Sequence, residues 1–280
     1  MKKRPSAILA GHVPKKKLGQ HFLKNQTVIQ EIIQSGRFDQ SDILIEIGPG
    51  LGALTIPLSR SVGHIIAVEK DPDLSEILRK HLDRENIGNV ELINADILRF
   101  DPWSHSDFLK KKGIVIGNLP YSISSPLLEK LITHRGRISR AILMLQLEFA
   151  ARLTASPGSK AYGSLSVLTQ YHARLSPLMR VSSEDFYPRP KVGSMVIEID
   201  FNQPYPKRAE DEVFFKKTVR QAFLHKRKTL LNSLSGAGLP LTKAELKTIL
   251  LKCKINPDRR AETLNMDEFL SLASALSTIS

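Results

Sequence analysis

The sequence predicts an α/β fold, in which a doubly wound and mostly parallel sheet is followed by a smaller all-helical domain. Three observations lead to this prediction. A branched apolar segment, Ile43–Ile47, runs directly into a glycine-rich turn and then into a helical pattern. Short apolar segments alternate with amphipathic ones as far as about residue 146, which is typical of a parallel sheet flanked by helices. Beyond a proline-rich stretch at 203–207, only helical patterns follow.

The composition fits a fold of this size and favours a polyanionic partner. The 280 residues are 41% hydrophobic, which is enough for one large domain and one small domain. The net charge of +13 favours binding to nucleic acid or to an anionic membrane surface. Cys253 is the single cysteine, which excludes an intrachain disulfide and a cysteine metal cluster and indicates a reducing compartment.

The sequence contains no predicted membrane span. No apolar run approaches the ~18 residues of a spanning helix, and the run at 7–10 is too short for the core of a signal peptide. We therefore expect a cytoplasmic protein, and an organelle transit peptide is the less favoured alternative.

The first 25 residues form a basic arm with seven lysines and arginines and no acidic residue. We expect residues 1–13 to be a solvated tail. Residues 15–25 differ, because they mix charges with Leu18, Phe22 and Leu23, and this mixture suits a segment that packs on the domain. Asn25 is a suitable N-cap for the amphipathic helix that follows.

The central motif is the turn after the first predicted strand, which contains Gly48, Gly50 and Gly52. Glycine permits positive φ and leaves room for a ligand against the backbone, and the next helix directs free N–H groups toward it. Together with Ala53, the turn matches the G-x-G-x-x-A dinucleotide fingerprint, but the same arrangement binds S-adenosylmethionine in methyltransferases. A tight turn without a ligand is the third interpretation, so the motif alone leaves the ligand open.

A polar residue follows each of the next three predicted strands: Glu69 after 64–68, Asp96 after 90–94 and Asn118 after 113–117. Because the carboxyl ends of parallel strands meet at one edge of a sheet, we expect these side chains to line one site with the glycine turn. Glu69 is placed to accept hydrogen bonds from both ribose hydroxyls, and Asp96 to meet an adenine amino group. Asp71, which precedes Pro72, is interpreted as an ordinary helix cap.

The remaining predicted strands complete the sheet, and the helical domain follows them in the chain. A fifth strand is predicted at 140–146, and 148–173 is helical at both ends with a loop between. The segments 176–182 and 193–201 predict an antiparallel hairpin at one edge of the sheet. We place the domain boundary at the proline-rich stretch, which gives a ligand-binding domain at 1–203 and a helical domain at 204–280.

The helical domain is predicted from its caps and is strongly basic. Thr242 with Glu245, and Asn265 with Glu268, have the spacing of capping boxes. We expect a basic cluster on or beside one helix to contact phosphates, and its members are Lys216, Lys217, Arg220, Lys226, Arg227 and Lys228.

The tetrapeptide Asn118-Leu119-Pro120-Tyr121 decides between the ligands. It suits methyl transfer to an exocyclic amino group, which is a poor nucleophile because its lone pair is delocalised into the ring. The Asn118 amide oxygen and the Pro120 carbonyl, accepting from the two N–H groups, favour a pyramidal nitrogen whose lone pair is directed at the methyl group. Tyr121 can stack on a flipped-out base. A dehydrogenase has no use for this tetrapeptide, and a simple turn is the alternative interpretation.

Phe186, which begins the segment F-Y-P-R-P-K, is a second candidate for stacking on the base. The alternative is an aromatic side chain of the core or of the sheet edge, and the residues themselves favour neither interpretation.

Seven motifs, in one order and spacing, resemble those of the ribosomal RNA adenine N6,N6-dimethyltransferase family. They are Lys17–Leu23, Glu46–Thr55, Val68-Glu69, Asn94–Asp96, Asn118–Tyr121, Tyr162–Val167 and Phe186–Ser194. The resemblance extends from about Lys15 to the C-terminus. The late stretches 221–230 and 260–264 are similar to the branch that acts on 16S rRNA of the small subunit.

This resemblance implies a Rossmann-like class I methyltransferase domain and a set of contacts. S-adenosylmethionine would be contacted by His21, Leu23, Gly48, Gly50, Glu69, Asp96 and Asn118. Asn118–Tyr121 would hold the target adenine, with Phe186 on its other face. His21 departs from the family pattern, because many relatives have asparagine there.

The resemblance also implies the substrate. Two neighbouring adenines near the 3′ end of 16S rRNA would each receive two methyl groups in an immature 30S subunit, so the site must also accept a monomethylated amine. We expect a monomer with no metal and no membrane association. Two alternatives are an antibiotic-resistance enzyme that acts on 23S rRNA, and a non-catalytic assembly or nucleic-acid-binding factor on the same fold.

Overall fold

The computed structural model describes residues 11–104 and 111–278, which form two compact units. The first unit comprises the described residues up to Ala150 together with Leu175–Asn202. The second comprises Ala151–Arg174 together with the residues from Gln203 onward. None of the helices in the described ranges is both long and apolar enough to cross a membrane.

The first unit contains a seven-stranded sheet, and its first five strands confirm the predicted parallel arrangement. These strands are β2 (Ile43–Ile47), β3 (His64–Glu69), β4 (Val90–Asn94), β5 (Gly113–Asn118) and β6 (Ile138–Gln146). The order across the sheet is β4-β3-β2-β5-β6, followed by β9 (Ser194–Asp200) and β7 (Arg174–Val181). β9 is antiparallel to β6. The central strands are almost entirely buried, as their branched apolar residues require.

The predicted edge hairpin is present, but its connection is more elaborate than a turn. β7 and β9 are neighbours in the sheet. In the part of the chain that connects them, β8 (Phe186–Tyr187) pairs antiparallel with β1 (Phe22–Leu23) in a separate two-stranded sheet. This pairing attaches the N-terminal segment to the sheet edge, which supports the expectation that residues 15–25 pack on the domain.

Two helices of the first unit begin at the caps that the sequence predicts, Asn25 and Asp71. The helices of this unit are α1 (Gln26–Gly36), α2 (Thr55–Leu58), α3 (Pro72–Arg84) and α4 (Ser124–Thr133), and α5 (Leu147–Leu153) continues into the second unit. The Asn25 side chain accepts from the Thr27 N–H, and the Asp71 side chain accepts from the Asp73 N–H.

The second unit is helical and has its own core. Its helices are α6 (Ser164–His172), α7 (Glu212–Ala222), α8 (Leu230–Ser235), α9 (Lys243–Lys252) and α10 (Met266–Ser277). The predicted capping boxes at the starts of α9 and α10 are confirmed.

The division into units differs from the predicted boundary, because residues 151–174 belong to the second unit. Tyr162, Val167 and Tyr171 are fully buried in one hydrophobic cluster with Phe215 and Phe269. The sequence placed these residues in the domain at 1–203, because the chain returns to the sheet at β7 after them. Only later does the chain enter the helical unit again. Burial of the aromatic side chains decides the assignment.

The predicted solvated tail at 1–13 is corrected where the structure describes it. Residues 1–10 lie outside the described residues, but His12 is only 8% exposed and hydrogen-bonds the Gln20 side chain at 3.0 Å. The ordered part of the N-terminal segment therefore starts before Lys15.

Candidate active site

A cavity of about 930 Å³ opens where the carboxyl ends of β2, β3, β4 and β5 meet. The N-terminal segment covers part of it. The cavity brings together ten of the predicted site residues: His21, Leu23, Gly48, Gly50, Glu69, Asp96, Asn118, Leu119, Pro120 and Phe186. The remaining predicted site residue is Tyr121, and its side chain is not among those that the structure describes.

The glycine turn needs its glycines for backbone reasons. Gly48, Gly50 and Gly52 have φ of +68°, +59° and +85°, a region that other residues rarely adopt. A Cβ on Gly52 would lie 2.7 Å from the Leu78 Cδ1, and one on Gly50 would lie 3.3 Å from the Phe22 ring. The turn therefore borders the cavity with α3 packed closely against Gly52 and the N-terminal segment against Gly50.

Glu69 fastens the glycine turn to the end of β3. Its Oε2 accepts from the Gly50 N–H at 3.0 Å, and its Oε1 accepts from the Asp71 N–H at 2.8 Å. Burial raises the pKa of Glu69, and these two N–H groups oppose that rise. Each carboxylate oxygen has a second lone pair, so further donors such as ribose hydroxyls can be accommodated.

Asp96 is held in its ionised form at the end of β4. Its Oδ2 accepts from the Lys70 ammonium at 2.8 Å, and its Oδ1 accepts from the Leu98 N–H at 3.0 Å. The Lys70 ammonium is the main reason that the pKa of Asp96 lies below its ordinary value. An ionised carboxylate is acceptor-only, which matches an adenine amino group.

Asn118 is oriented by the N-terminal segment. Its Nδ2 donates to the His21 carbonyl at 2.9 Å. Because a carbonyl can only accept, this contact fixes which end of the amide is nitrogen and leaves the Oδ1 as the acceptor. The His21 ring in turn donates from Nδ1 to the Pro188 carbonyl at 2.7 Å. The sequence predicted both residues at the site but did not predict this link between them.

The Pro120 carbonyl is not placed as the sequence predicted. It accepts from the Ile123 N–H at 3.1 Å and from the Ser124 hydroxyl at 3.5 Å, because Tyr121–Ile123 forms a 3-10 turn before α4. The contact with Ile123 has the length of an ordinary hydrogen bond, whereas 3.5 Å is long for a hydroxyl donor, so this carbonyl is already engaged in the turn through at least one lone pair. Pro120 therefore shapes the entry to α4 rather than providing a free acceptor.

Of the two interpretations of Phe186, its burial favours a side chain of the core, and stacking on the base stays a prediction. Phe186 is 2% exposed and belongs to the hydrophobic core with Leu23 and Val28. It borders the cavity, but a stacking partner needs an open ring face. Its pairing with Leu23 across β1 and β8 buries both side chains, so both shape the cavity wall.

Glu46 is a feature of the site to which the sequence assigned no role. It borders the cavity, it is 2% exposed, and its Oε2 has no hydrogen-bond partner in the described part of the chain. Burial raises the pKa of Glu46 to about 7, the Thr55 hydroxyl opposes this rise, and the negative charge of Glu69 adds to it. The feature of the sequence that could have indicated a role for Glu46 is a single acidic residue within an otherwise apolar strand.

No group of three or more metal-binding side chains occurs in the two described ranges. The polar groups that border the cavity include the carboxyl groups of Glu46, Glu69 and Asp96 and the oriented amide of Asn118.

A parallel sheet with a glycine turn, an acid after the next strand and an oriented asparagine at its rim defines a class I methyltransferase. Among solved structures, the chain is similar to a dimethyladenosine transferase from Plasmodium falciparum, with 27% identity and a TM-score of 0.74 over 90% of this chain and 95% of that one. It shares the fold of the 23S rRNA methyltransferase ErmE, with 23% identity and a TM-score of 0.72 over 91% of this chain and 99% of that one.

Sequence comparisons identify the family to which the chain belongs among class I methyltransferases. The ribosomal RNA adenine dimethylase family model matches residues 11–277. A ribosomal RNA small subunit methyltransferase A of Desulforapulum autotrophicum is 44% identical over 94% of this chain and 92% of its own length. One of Geobacillus sp. is 40% identical over 94% and 91%. The chain belongs to the ribosomal RNA adenine dimethylase family.

Proposed function

We propose that this enzyme transfers methyl groups from S-adenosylmethionine to the N6 amino groups of two adjacent adenines near the 3′ end of 16S rRNA, and so forms N6,N6-dimethyladenosine. Its substrate is an immature small ribosomal subunit in the cytoplasm, and the enzyme acts as a monomer. The observation that carries this proposal is the fixed Asn118 amide, whose Nδ2 is bound by the His21 carbonyl so that the Oδ1 is left to accept from a substrate amine.

The cavity residues fit S-adenosylmethionine. The positive-φ glycine turn is a backbone cradle that a Cβ would strain, and the unpartnered Oε2 of Glu46 suits an ammonium group near that turn. Glu69 would accept from the ribose hydroxyls and Asp96 from the adenine amino group. His21 and Leu23 would close the site from the N-terminal side. When bound, S-adenosylmethionine supplies an electrophilic methyl group on a cationic sulfur.

The protein's contribution to the chemistry is orientation of the target amine. The Asn118 Oδ1 would accept from one of its N–H groups and draw the nitrogen toward a pyramidal geometry with an available lone pair. The Pro120 carbonyl is engaged in the 3-10 turn, so we assign the second acceptor to the backbone carbonyl of Leu119, the neighbour of Asn118. Tyr121 would stack on the flipped-out base.

After the first transfer the amine has only one N–H left. We infer that the second round depends on one acceptor, because a monomethylated amine cannot satisfy two at once, and we assign it to the Asn118 Oδ1, whose orientation is fixed by the His21 carbonyl. Removal of the Asn118 acceptor should therefore slow the second methylation at least as much as the first.

The helical unit is proposed to bind RNA through phosphate contacts. Its basic cluster is solvent-exposed, and the members are Lys216, Lys217, Arg220, Lys226, Arg227 and Lys228. Contacts of this kind release counterions, so the logarithm of the binding constant should fall with the logarithm of salt concentration by about 0.9 per phosphate contact. Replacement of Lys216 and Lys217 by glutamine should lower that slope by about 2.

The test is methyl incorporation from labelled S-adenosylmethionine into 30S particles that lack the modification, followed by mapping of dimethyladenosine. We expect two adjacent dimethyladenosines in 16S rRNA. Preferential labelling of 23S rRNA would contradict the assigned substrate. Absence of S-adenosylmethionine binding by calorimetry would instead indicate a non-catalytic factor.

A further inference from the structure

Asp71 receives more hydrogen bonds than a helix cap requires. Its side chain is completely buried, and the Oδ1 accepts from the Asp73 N–H at 3.1 Å, which is the capping contact. The Lys15 ammonium also donates to this Oδ1 at 2.6 Å, and the Gln20 Nε2 donates to the Oδ2 at 2.7 Å. The His12 Nε2 lies 3.8 Å from the same Oδ2.

These additional contacts all come from the N-terminal segment, residues 11–25. Gln20 organises the segment further, because its Oε1 accepts from the Lys15 N–H at 2.7 Å and lies 3.0 Å from the His12 ring nitrogen. Lys15 also contacts Asp73 at 2.7 Å, but the Asp73 side chain is 63% exposed and the Asp71 side chain is buried. Among these acids, Asp71 is therefore the desolvated partner, for which a lost hydrogen bond is costly.

The same segment forms one wall of the cavity. Its Phe22 ring packs on Gly50 of the glycine turn, and its His21 carbonyl holds the Asn118 amide. On the other side of Asp71, the Asp71 N–H donates to Glu69, which in turn accepts from Gly50. Asp71 thus connects the two sides: its buried carboxylate binds the segment that covers the cavity, and its backbone N–H binds the acid proposed to bind the ribose.

We propose that Asp71 is a positioning residue that holds the N-terminal segment closed over the cavity, and that this closure is needed for tight binding of S-adenosylmethionine. The inference rests on the proposed function for the identity of the ligand. The closure itself is a property of the protein alone and can be measured without the ligand.

Asp71→Asn separates the cap from the closure. Asparagine caps helices about as well as aspartate, so α3 should persist. The substitution removes the negative charge that binds Lys15. It also replaces one acceptor oxygen by an NH2 group, which cannot accept from Gln20 or Lys15. Asp83→Asn is the matched control, because it removes the same charge from an exposed position at the other end of α3.

The first measurement is limited trypsin digestion of the free protein, with cleavage sites located by mass spectrometry. We expect cleavage after Lys16 and Lys17 to be about tenfold faster in Asp71→Asn than in the wild type and unchanged in Asp83→Asn. Equal rates in all three proteins would overturn the proposal. Acceleration at sites throughout the chain would overturn it as well, because it would indicate a general loss of stability.

The second measurement is the Kd for S-adenosylmethionine by calorimetry, with kcat at saturating S-adenosylmethionine. We expect Asp71→Asn to raise the Kd about tenfold and to leave kcat within about threefold of the wild type. An unchanged Kd alongside faster cleavage would overturn the link to ligand binding. If even the wild type bound no S-adenosylmethionine, the proposed function would fail while the digestion result still decided the closure.

Discussion

Replacement of Asn118 by alanine tests the centre of the proposed mechanism. The amide has two separate contacts to lose. Its Nδ2 donates to the His21 carbonyl at 2.9 Å, and its Oδ1 is the proposed acceptor for the target amine. Alanine removes both and leaves the backbone of β5 intact.

The two losses have different sizes and affect different measurements. An ordinary hydrogen bond such as that to His21 contributes about 1 kcal/mol, which would appear as a small decrease in the free energy of unfolding. An oriented acceptor that acts in the transition state is worth more, about 2.7–4 kcal/mol, or a loss of about 10²–10³ in kcat. The RNA affinity should change little, because phosphate contacts supply most of it.

The assay is transfer of labelled methyl groups to 30S particles lacking the modification, at saturating S-adenosylmethionine, with RNA affinity measured in parallel. A variant with kcat within about threefold of the wild type would refute the role of Asn118. A variant that lost RNA affinity and kcat together would show that the residue acts in folding or docking rather than in the transfer step.

Two further predictions concern the cavity, and a third concerns the packing of the strands beside it. Glu69→Gln should raise the Kd for S-adenosylmethionine about 10–100-fold, because charge-assisted hydrogen bonds are lost, and should leave kcat at saturation nearly unchanged. Calorimetry measures the Kd and steady-state kinetics measure kcat. An unaltered Kd would contradict the role of Glu69. The folded-state pKa of Glu46 is about 7, above its ordinary 4.5. The stability gained from neutral Glu46 is therefore complete below pH 4.5 and is lost as the pH rises through 7. Glu46→Gln should consequently be more stable than the wild type at pH 8, by up to about 3 kcal/mol, and similar at pH 4, as measured by urea unfolding; equal stability at pH 8 would argue against a buried charge. A Cβ on Gly117 would lie 2.7 Å from the Ile47 carbonyl, so Gly117→Ala should lower the thermal midpoint and destabilise the first unit by about 1–3 kcal/mol, whereas Gly88→Ala, with nothing within 4 Å, should not.

Local sequence features predicted the sheet and most of the cavity correctly. The apolar strands, the glycine turn and the helix caps are read from neighbouring residues, and their chemistry does not depend on distant parts of the chain. Because the strands are parallel, the residues that follow them had to meet at one edge. Glu69, Asp96 and Asn118 could therefore be predicted to border the same cavity, and they do.

Contacts between distant segments could not be predicted in this way. The sequence left Phe186 open between a stacking residue and a core aromatic, and only its pairing with Leu23 and its burial distinguish the two. The Pro120 carbonyl had the expected position in the motif, but it already accepts from the Ile123 N–H of the turn that follows. Residues 151–174 follow the sheet in the chain, yet their aromatic side chains join the core of the helical unit.

The sequence by itself determined the class of fold, the order of its motifs and the residues available for methyl transfer, because each of these depends on local pattern. The tertiary structure decided how those residues are held. Asn118 is oriented by a carbonyl 97 positions away, and Asp71 accepts from a lysine 56 positions away. Such pairs form only when the N-terminal segment folds over the strand ends, and a buried polar group then takes whichever partner that packing brings to it.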